Sequence, residues 1–268
     1  MTEFPHSAFN RRQHALSGPL GPDKVPTECH SERMAIALLS AVSHDLRGPL
    51  AAAKAAVETL RSTDLRVSHE QRRELVDAAD QSLNRLGRLV ENLLDANRLR
   101  VGALAISPQP ASLAEAIGRS VDELGSAGRD IRVQVPDDLP AVYADAVLLE
   151  RALVNLLSNA LRHGGADQPP WITAGECRGR VEVRVVDHGP GVRPADWERI
   201  FLPFQRLGKR PNPTGLGLGL ALSRDLVEAM GGTITPEATP GGGLTMTIGL
   251  PAADLPLAGQ AGPRRAAA

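Results

Sequence analysis

Cysteine is nearly absent from this chain. Cys29 and Cys177 stand far apart with no CxxC pair, so nothing suggests a disulfide framework and the pattern suits a reducing cytosol. Aromatic residues are scarce too, and no basic block is interleaved with them. With a formal net charge of −1, nothing draws the chain as a whole toward nucleic acid or an anionic membrane. Lysine occurs only at Lys24, Lys54 and Lys209, which reads as genome composition rather than function. No stretch approaches the ~18 apolar residues that cross a bilayer. Arg11, Arg12 and His14 have no apolar run behind them, which argues against a signal peptide. These absences together give the expectation of a soluble, cytoplasmic protein with no direct membrane span and no nucleic-acid partner. At 268 residues it has room for one large domain or two small ones.

What is present is ordered along the chain. Residues 1–30, rich in Pro, Gly, His and charge and without periodicity, read as a disordered leader. From 31 to about 62 an apolar stripe passes through Leu39, Val42, Leu46, Ala53, Ala56 and Leu60. After a polar turn it resumes at Val76, Ala79, Leu83, Leu86, Val90, Leu93 and Asn97, alternating threes and fours. That spacing predicts an antiparallel helical hairpin over 31–100. Alone it buries too little, so a homodimer pairing two hairpins into a four-helix bundle is expected.

Residues 101–110 read as a linker and 111–252 as a second domain. There Ser112 and Glu115 have capping-box spacing and open a helix to about Gly125. Segments 131–135, 180–186 and 244–250 alternate as strands do, and 145–163 and 218–230 read as helices. The fold class is therefore α+β: a helical hairpin, then an α/β sandwich with helices on one face of a mainly antiparallel sheet. Residues 253–268 read as a disordered tail.

His44 lies two residues from Val42, about 200° around the helix, which turns it away from the stripe. Most surface histidines do nothing chemical, but here Asp45 follows directly, and a carboxylate beside an imidazole can make it nucleophilic. Gly48-Pro49 comes one turn later. Proline costs ~3 kcal/mol and glycine ~1 in a helix interior, so a kink or local opening is expected, either an irregularity or a hinge.

Downstream lie three motifs with nucleotide chemistry. Asn155 and Asn159, four apart, share one helix face, where two amides can ligate Mg²⁺ and touch phosphate oxygens. On their own they could equally be ordinary surface asparagines. Asp187-His188-Gly189-Pro190-Gly191 follows a strand. Its carboxylate can accept from an exocyclic amine such as adenine N6, and its glycines let backbone approach a flat base, although such turns also arise for backbone reasons alone. Thr214-Gly215-Leu216-Gly217-Leu218-Gly219-Leu220 leads into a helix and suits a polyphosphate. Arg206, Lys209 and Arg210 before it could form a cationic lid. No Gly-Lys-Ser/Thr follows and no strand runs straight in, so it is neither a Walker A loop nor a dinucleotide fingerprint.

In this order the motifs resemble the transmitter region of bacterial two-component sensor histidine kinases, over about 31–251. Ser43-His44-Asp45-Leu46-Arg47-Gly48-Pro49-Leu50 looks like the H box, and Asn155-Leu156-Leu157-Ser158-Asn159-Ala160-Leu161-Arg162-His163 like the N box. Residues 187–191 resemble the first glycine box, Ile200-Phe201-Leu202-Pro203-Phe204 the F box, and 215–219 the second glycine box. Segments 52–62, 89–94 and 139–151 look most like the potassium-responsive Kdp sensors.

The resemblance implies a Bergerat ATP-binding fold, ATP and Mg²⁺ as cofactors, and autophosphorylation of His44 with Asp45 assisting. Phosphoryl transfer to an aspartate of a response regulator would follow. It implies ATP binding by Asn155, Asn159, Arg162, His163, Asp187, Gly189, Gly191, Arg206, Lys209, Gly215, Leu216, Gly217, Leu218 and Gly219. Mg²⁺ would be held by Asn159, with Asn155 nearby. Arg162 stands for a commoner Lys, changing a point charge into a fork. Gly48 replaces a Thr or Asn thought to serve dephosphorylation of the regulator, which puts phosphatase activity in doubt. Input would come from residues 1–30, from a separate sensor protein, or from nothing at all. Two rival readings remain: a protein-serine kinase of the anti-sigma type, which has no use for His44-Asp45, and a non-catalytic ATP-binding dimeric regulator.

Overall fold

The structure, a computed structural model, describes residues 27–62, 67–165, 168–205 and 217–253. Most of the expected leader, all but the first residue of the tail, and Arg206, Lys209, Arg210, Gly215 and Leu216 lie outside the described residues. The chain divides between Leu39 and Ser40. The first unit contributes only the start of a helix, and every contact given below lies within the second.

Helix α1, Thr27–Arg61, begins somewhat before the stripe does and carries Pro49 inside it without a break. Proline has no N–H, so the Asp45 carbonyl forgoes its usual helical partner at that point. Helix α2, His69–Arg100, opens on a reciprocal cap. Ser68 Oγ accepts from Gln71 N at 3.1 Å, and Gln71 Oε1 accepts from Ser68 N at 3.0 Å. Such a cap is worth about 1 kcal/mol. Ala53, Ala56 and Ala79 are buried, yet Leu50, Val57, Val76, Leu83, Val90 and Leu94 remain 41–53% exposed. Within one chain, then, much of the apolar surface of the hairpin stays uncovered.

The rest is a two-layer α+β body, in agreement with the fold class read from the sequence. Strand β1, Gln109–Ala111, takes in the end of the expected linker and pairs antiparallel with β3, Val142–Ala144. Helix α3, Leu113–Glu123, is capped on one side only: Ser112 Oγ accepts from Glu115 N at 3.3 Å. The Glu115 carboxylate goes to Arg119 instead of back to the cap, so the expected capping box is half-formed. Helix α4, Ala146–His163, starts on Asp145, which accepts from the N–H groups of Val147 and Leu148.

The main sheet comprises β2 (Arg132–Gln134), β4 (Trp171–Cys177), β5 (Arg180–Val186), β6 (Thr233–Ala238) and β7 (Leu244–Pro251), in the order β2-β4-β5-β7-β6. Only the β2–β4 pair is parallel. Period-2 alternation sends Val181, Val183 and Val185 of β5 inward. They join Ile248 and Leu250 of β7 in one core with Leu149, Leu153, Leu156 and Leu157 of α4. Each such side chain contributes about 1.5–3 kcal/mol on leaving water. Helix α5, Gly219–Ala229, packs beside α4, and Ser223 donates to the Ala152 carbonyl at 3.4 Å. The last turn of α4 abuts the turn after β5, and the first turn of α5 faces the middle of α4 at Asn155.

Candidate nucleotide and phosphoacceptor sites

Asp187 is the first residue past β5 and is nearly buried. Its Oδ1 accepts from Gly189 N at 2.9 Å and Leu244 N at 3.2 Å. Its backbone N–H donates to the Leu244 carbonyl at 3.0 Å. The carboxylate is thus fixed by two backbone amides, and Oδ2 has no hydrogen-bond donor among the described residues. Glycine is demanded around it. A Cβ on Gly189 would run into the His163 carbonyl, and one on Gly191 (φ +66°) would lie 2.7 Å from the Gly243 carbonyl oxygen. Gly243 (φ +120°) would drive a Cβ into the Asp187 carbonyl itself. Two glycine turns, 189–191 and 241–243, therefore interlock about the acid. The second turn was missed in the sequence, where its only signal is a run of three glycines before a strand.

Asn155, half-buried on α4, faces the start of α5: a Cβ on Gly219 would stand 3.6 Å from its Oδ1. That Oδ1 accepts from Asn92 Nδ2 of α2 at 3.0 Å, and its own Nδ2 is buried with no partner among the described residues. Among the described residues no side chain caps helix α5, so its first N–H groups and positive dipole end face a place suited to an anion. Gly217 (φ +66°) precedes it, and its carbonyl accepts from Phe204 N at 2.9 Å. Leu218 is buried. Asn159 lies one turn beyond Asn155 and is half-buried, while Arg162 and His163 are exposed in the last turn of α4.

The segment beneath the F box is pinned by charges the sequence did not reveal. The Arg224 guanidinium lies 3.6 Å over the Phe201 ring and donates to Glu198 at 2.9 Å. Such stacking is worth about 0.5–1 kcal/mol. Asp196 accepts from Arg193 at 2.7 Å and from Arg199 at 2.6 Å, and these bonds hold its pKa below the ordinary carboxylate value. The Arg224 bond likewise lowers that of Glu198.

His44 stands apart on α1, and none of the contacts described around Asp187 and Asn155 involves it. Its side chain is 78% exposed, whereas that of Asp45 is 3% exposed. Nδ1 lies 3.1 Å from Asp45 Oδ1. A carboxylate there accepts only from Nδ1–H, which leaves the lone pair on Nε2.

Two family models match the chain. One is the His Kinase A (phospho-acceptor) domain, over residues 35–102. The other is the histidine kinase-, DNA gyrase B- and HSP90-like ATPase, over 144–254. The chain is 47% identical to the sensor protein KdpD of Mycobacterium tuberculosis over 80% of its own length and 26% of that protein's. It is 34% identical to the sensor protein KdpD of Escherichia coli, covering 82% of this chain and 25% of that one. It thus spans about a quarter of the length of these relatives. Full-length ShkA, solved in complex with AMPPNP, superposes with a TM-score of 0.55 at 26% identity, covering 82% of this chain and 47% of that one. No helix among the described residues is long and apolar enough to cross a membrane.

Proposed function

Because this chain belongs to the two-component sensor histidine kinases, with Kdp-type sensors among its relatives, we propose that it phosphorylates His44 from ATP and passes the phosphoryl group to an aspartate of a response regulator. The observation that carries the reading is the exposed His44 ring with Nδ1 held by buried Asp45. Nε2 attacks the γ-phosphorus, an N–P bond forms, and the bond to the ADP oxygen breaks as ADP leaves. The ring gains positive charge as it does so. Asp45, 3.1 Å from Nδ1, stabilises that charge and accepts the Nδ1 proton.

The nucleotide half has the right chemistry for its part. Asp187 Oδ2 accepts from the adenine amine, with the flanking glycines allowing the base to lie against backbone. The uncapped start of α5 takes the phosphates. Asn155 and Asn159 offer amide oxygens, hard donors that suit Mg²⁺, and Mg²⁺ would supply charge neutralisation of the triphosphate. Arg162, His163, Arg206 and Lys209, with Gly215, Leu216 and Leu218, complete the proposed set. The exposed stripe through Leu83 and Val90 supports a homodimer over 31–100.

The test is the chemistry of the label. After incubation with γ-labelled ATP, the protein should hold a phosphoryl group that is lost in acid and kept in alkali. An acid-stable label would point to a serine kinase, and nucleotide binding without label to a non-catalytic regulator. Either outcome rejects the reading.

A further inference from the structure

Gln81, Arg88, Asn92, Asp95 and Leu99 recur along α2 at intervals of seven, four, three and four, so they form one face. From Arg88 onward that face is partly or fully covered, while Gln81 at its start stays exposed. Gln81 donates to Ser126 Oγ at 3.1 Å, Arg88 is partly buried within reach of the opposite charge of Glu123, and Leu99 packs against the core of the α+β body. At its centre are two rungs to α4. Asp95, 1% exposed, pairs with Arg151, and Asn92 Nδ2 donates to Asn155 Oδ1 at 3.0 Å. Arg151 and Asn155 are one helical turn apart, so a single contact surface makes both rungs.

We infer that this face of α2 is a clasp that occupies Asn155, so that docking of α2 and binding of a metal–adenine nucleotide oppose each other. The inference rests on Asn155 belonging to the nucleotide site. Asn155 Oδ1 has two lone pairs; the Asn92 N–H takes one at 3.0 Å, which weakens the oxygen as a ligand and sets a partial positive charge beside any cation it would hold. The docked arrangement also leaves Asn155 Nδ2 buried without an acceptor among the described residues, a deficit that undocking relieves. Asp95 strengthens the clasp: this buried carboxylate meets Arg98 of its own helix only at 3.8 Å, and its nearer arginine, Arg151, sits on the very helix that bears Asn155. The linkage is reciprocal, so bound nucleotide loosens the clasp by the factor by which the clasp weakens nucleotide.

The test is the dissociation constant for Mg·ADP, which donates no phosphoryl group, on the full chain. Asn92→Ala and Asp95→Asn should each tighten binding by about three- to ten-fold, the worth of one such polar contact. Asn84→Ala removes an exposed amide of α2 that bonds Asp80 at 3.0 Å and should change nothing. A folded Asn92→Ala protein that binds Mg·ADP no tighter than the parent overturns the clasp. A second measurement leaves both rungs intact. With Cys29 and Cys177 changed to Ser, Gln81→Cys and Ser126→Cys are joined by a short bismaleimide. The bridged protein should bind Mg·ADP more weakly than the unbridged one, and equal affinity overturns the proposal. If neither parent nor variants bind ADP, the nucleotide site itself is wrong, a result distinct from unchanged affinity.

Discussion

Replacing Asp187 by Asn separates the base-reading role of this side chain from its structural one. In the parent, Oδ1 accepts from two backbone N–H groups and Oδ2 has no donor among the described residues. An asparagine keeps one oxygen for Gly189 and Leu244, so the interlocked glycine turns hold. Its NH₂ then takes the place of Oδ2 and meets the adenine amine donor to donor. A hydrogen bond to a charged acceptor is worth about 1.5–3 kcal/mol, and an opposed buried donor adds about 1–3 more. The sum is at least about 2.5 kcal/mol, or roughly sixty-fold in dissociation constant. Titration with ADP by calorimetry measures it, and a melting curve without nucleotide checks the fold. Asp187→Ala is the contrast. It strands the Gly189 and Leu244 N–H groups in a nearly buried place, so it should lower the melting temperature as well as affinity. An Asp187→Asn protein that melts like the parent and binds ADP within three-fold of it would refute the assignment of this carboxylate to the base.

Gly243→Ala forces a side chain into a left-handed backbone conformation and against the Asp187 carbonyl. It should cost at least about 2 kcal/mol in denaturant unfolding. Gly118→Ala, in α3 with open space around it, should stabilise by about 0.4–1 kcal/mol in the same assay. Leu83→Glu combined with Val90→Glu places charge on the exposed stripe and should shift a dimer to monomer at micromolar concentration by light scattering. A dimer that survives argues that this face is not the interface. Asp196 has a folded-state pKa below its unfolded value, so its pairing stabilises above the ordinary aspartate value and is lost as pH falls through the lowered one. Asp196→Asn should therefore melt below the parent at neutral pH, and the gap should close in acid.

The elements that sequence pattern disclosed are those whose signal is local. Valines at every second position mark β5, and Leu149, Leu153, Leu156 and Leu157 give α4 its inward face. Strand β4 escaped because its turn, Arg178-Gly179, adopts φ of 52° and 74° without the Asn-Gly pair that announces such hairpins. Strand β6 escaped because Pro236 argues against a strand, and it is tolerated there because β6 is a sheet edge. The same division runs through the site. Asn155, Asp187 and the glycines at 189 and 191 could be singled out because each motif is contiguous; the structure sets the glycines about Asp187 and Asn155 against the start of α5. Gly243 was not, because its necessity arises from a carbonyl distant in the chain. Nor were Asn92 and Asp95, since polar residues at helical spacing look like a solvated face until another helix covers them. The stack of Arg224 on Phe201 is likewise a tertiary event with no sequence period.

One imidazole, that of His44, is the proposed landing place of the phosphoryl group, and replacing it puts the matter to experiment. The parent and His44→Gln proteins are incubated with γ-labelled Mg·ATP, and each is also titrated with ADP. The parent should take up an acid-labile label, while His44→Gln should take up none and bind ADP as the parent does. Label persisting on the His44→Gln protein would contradict the account.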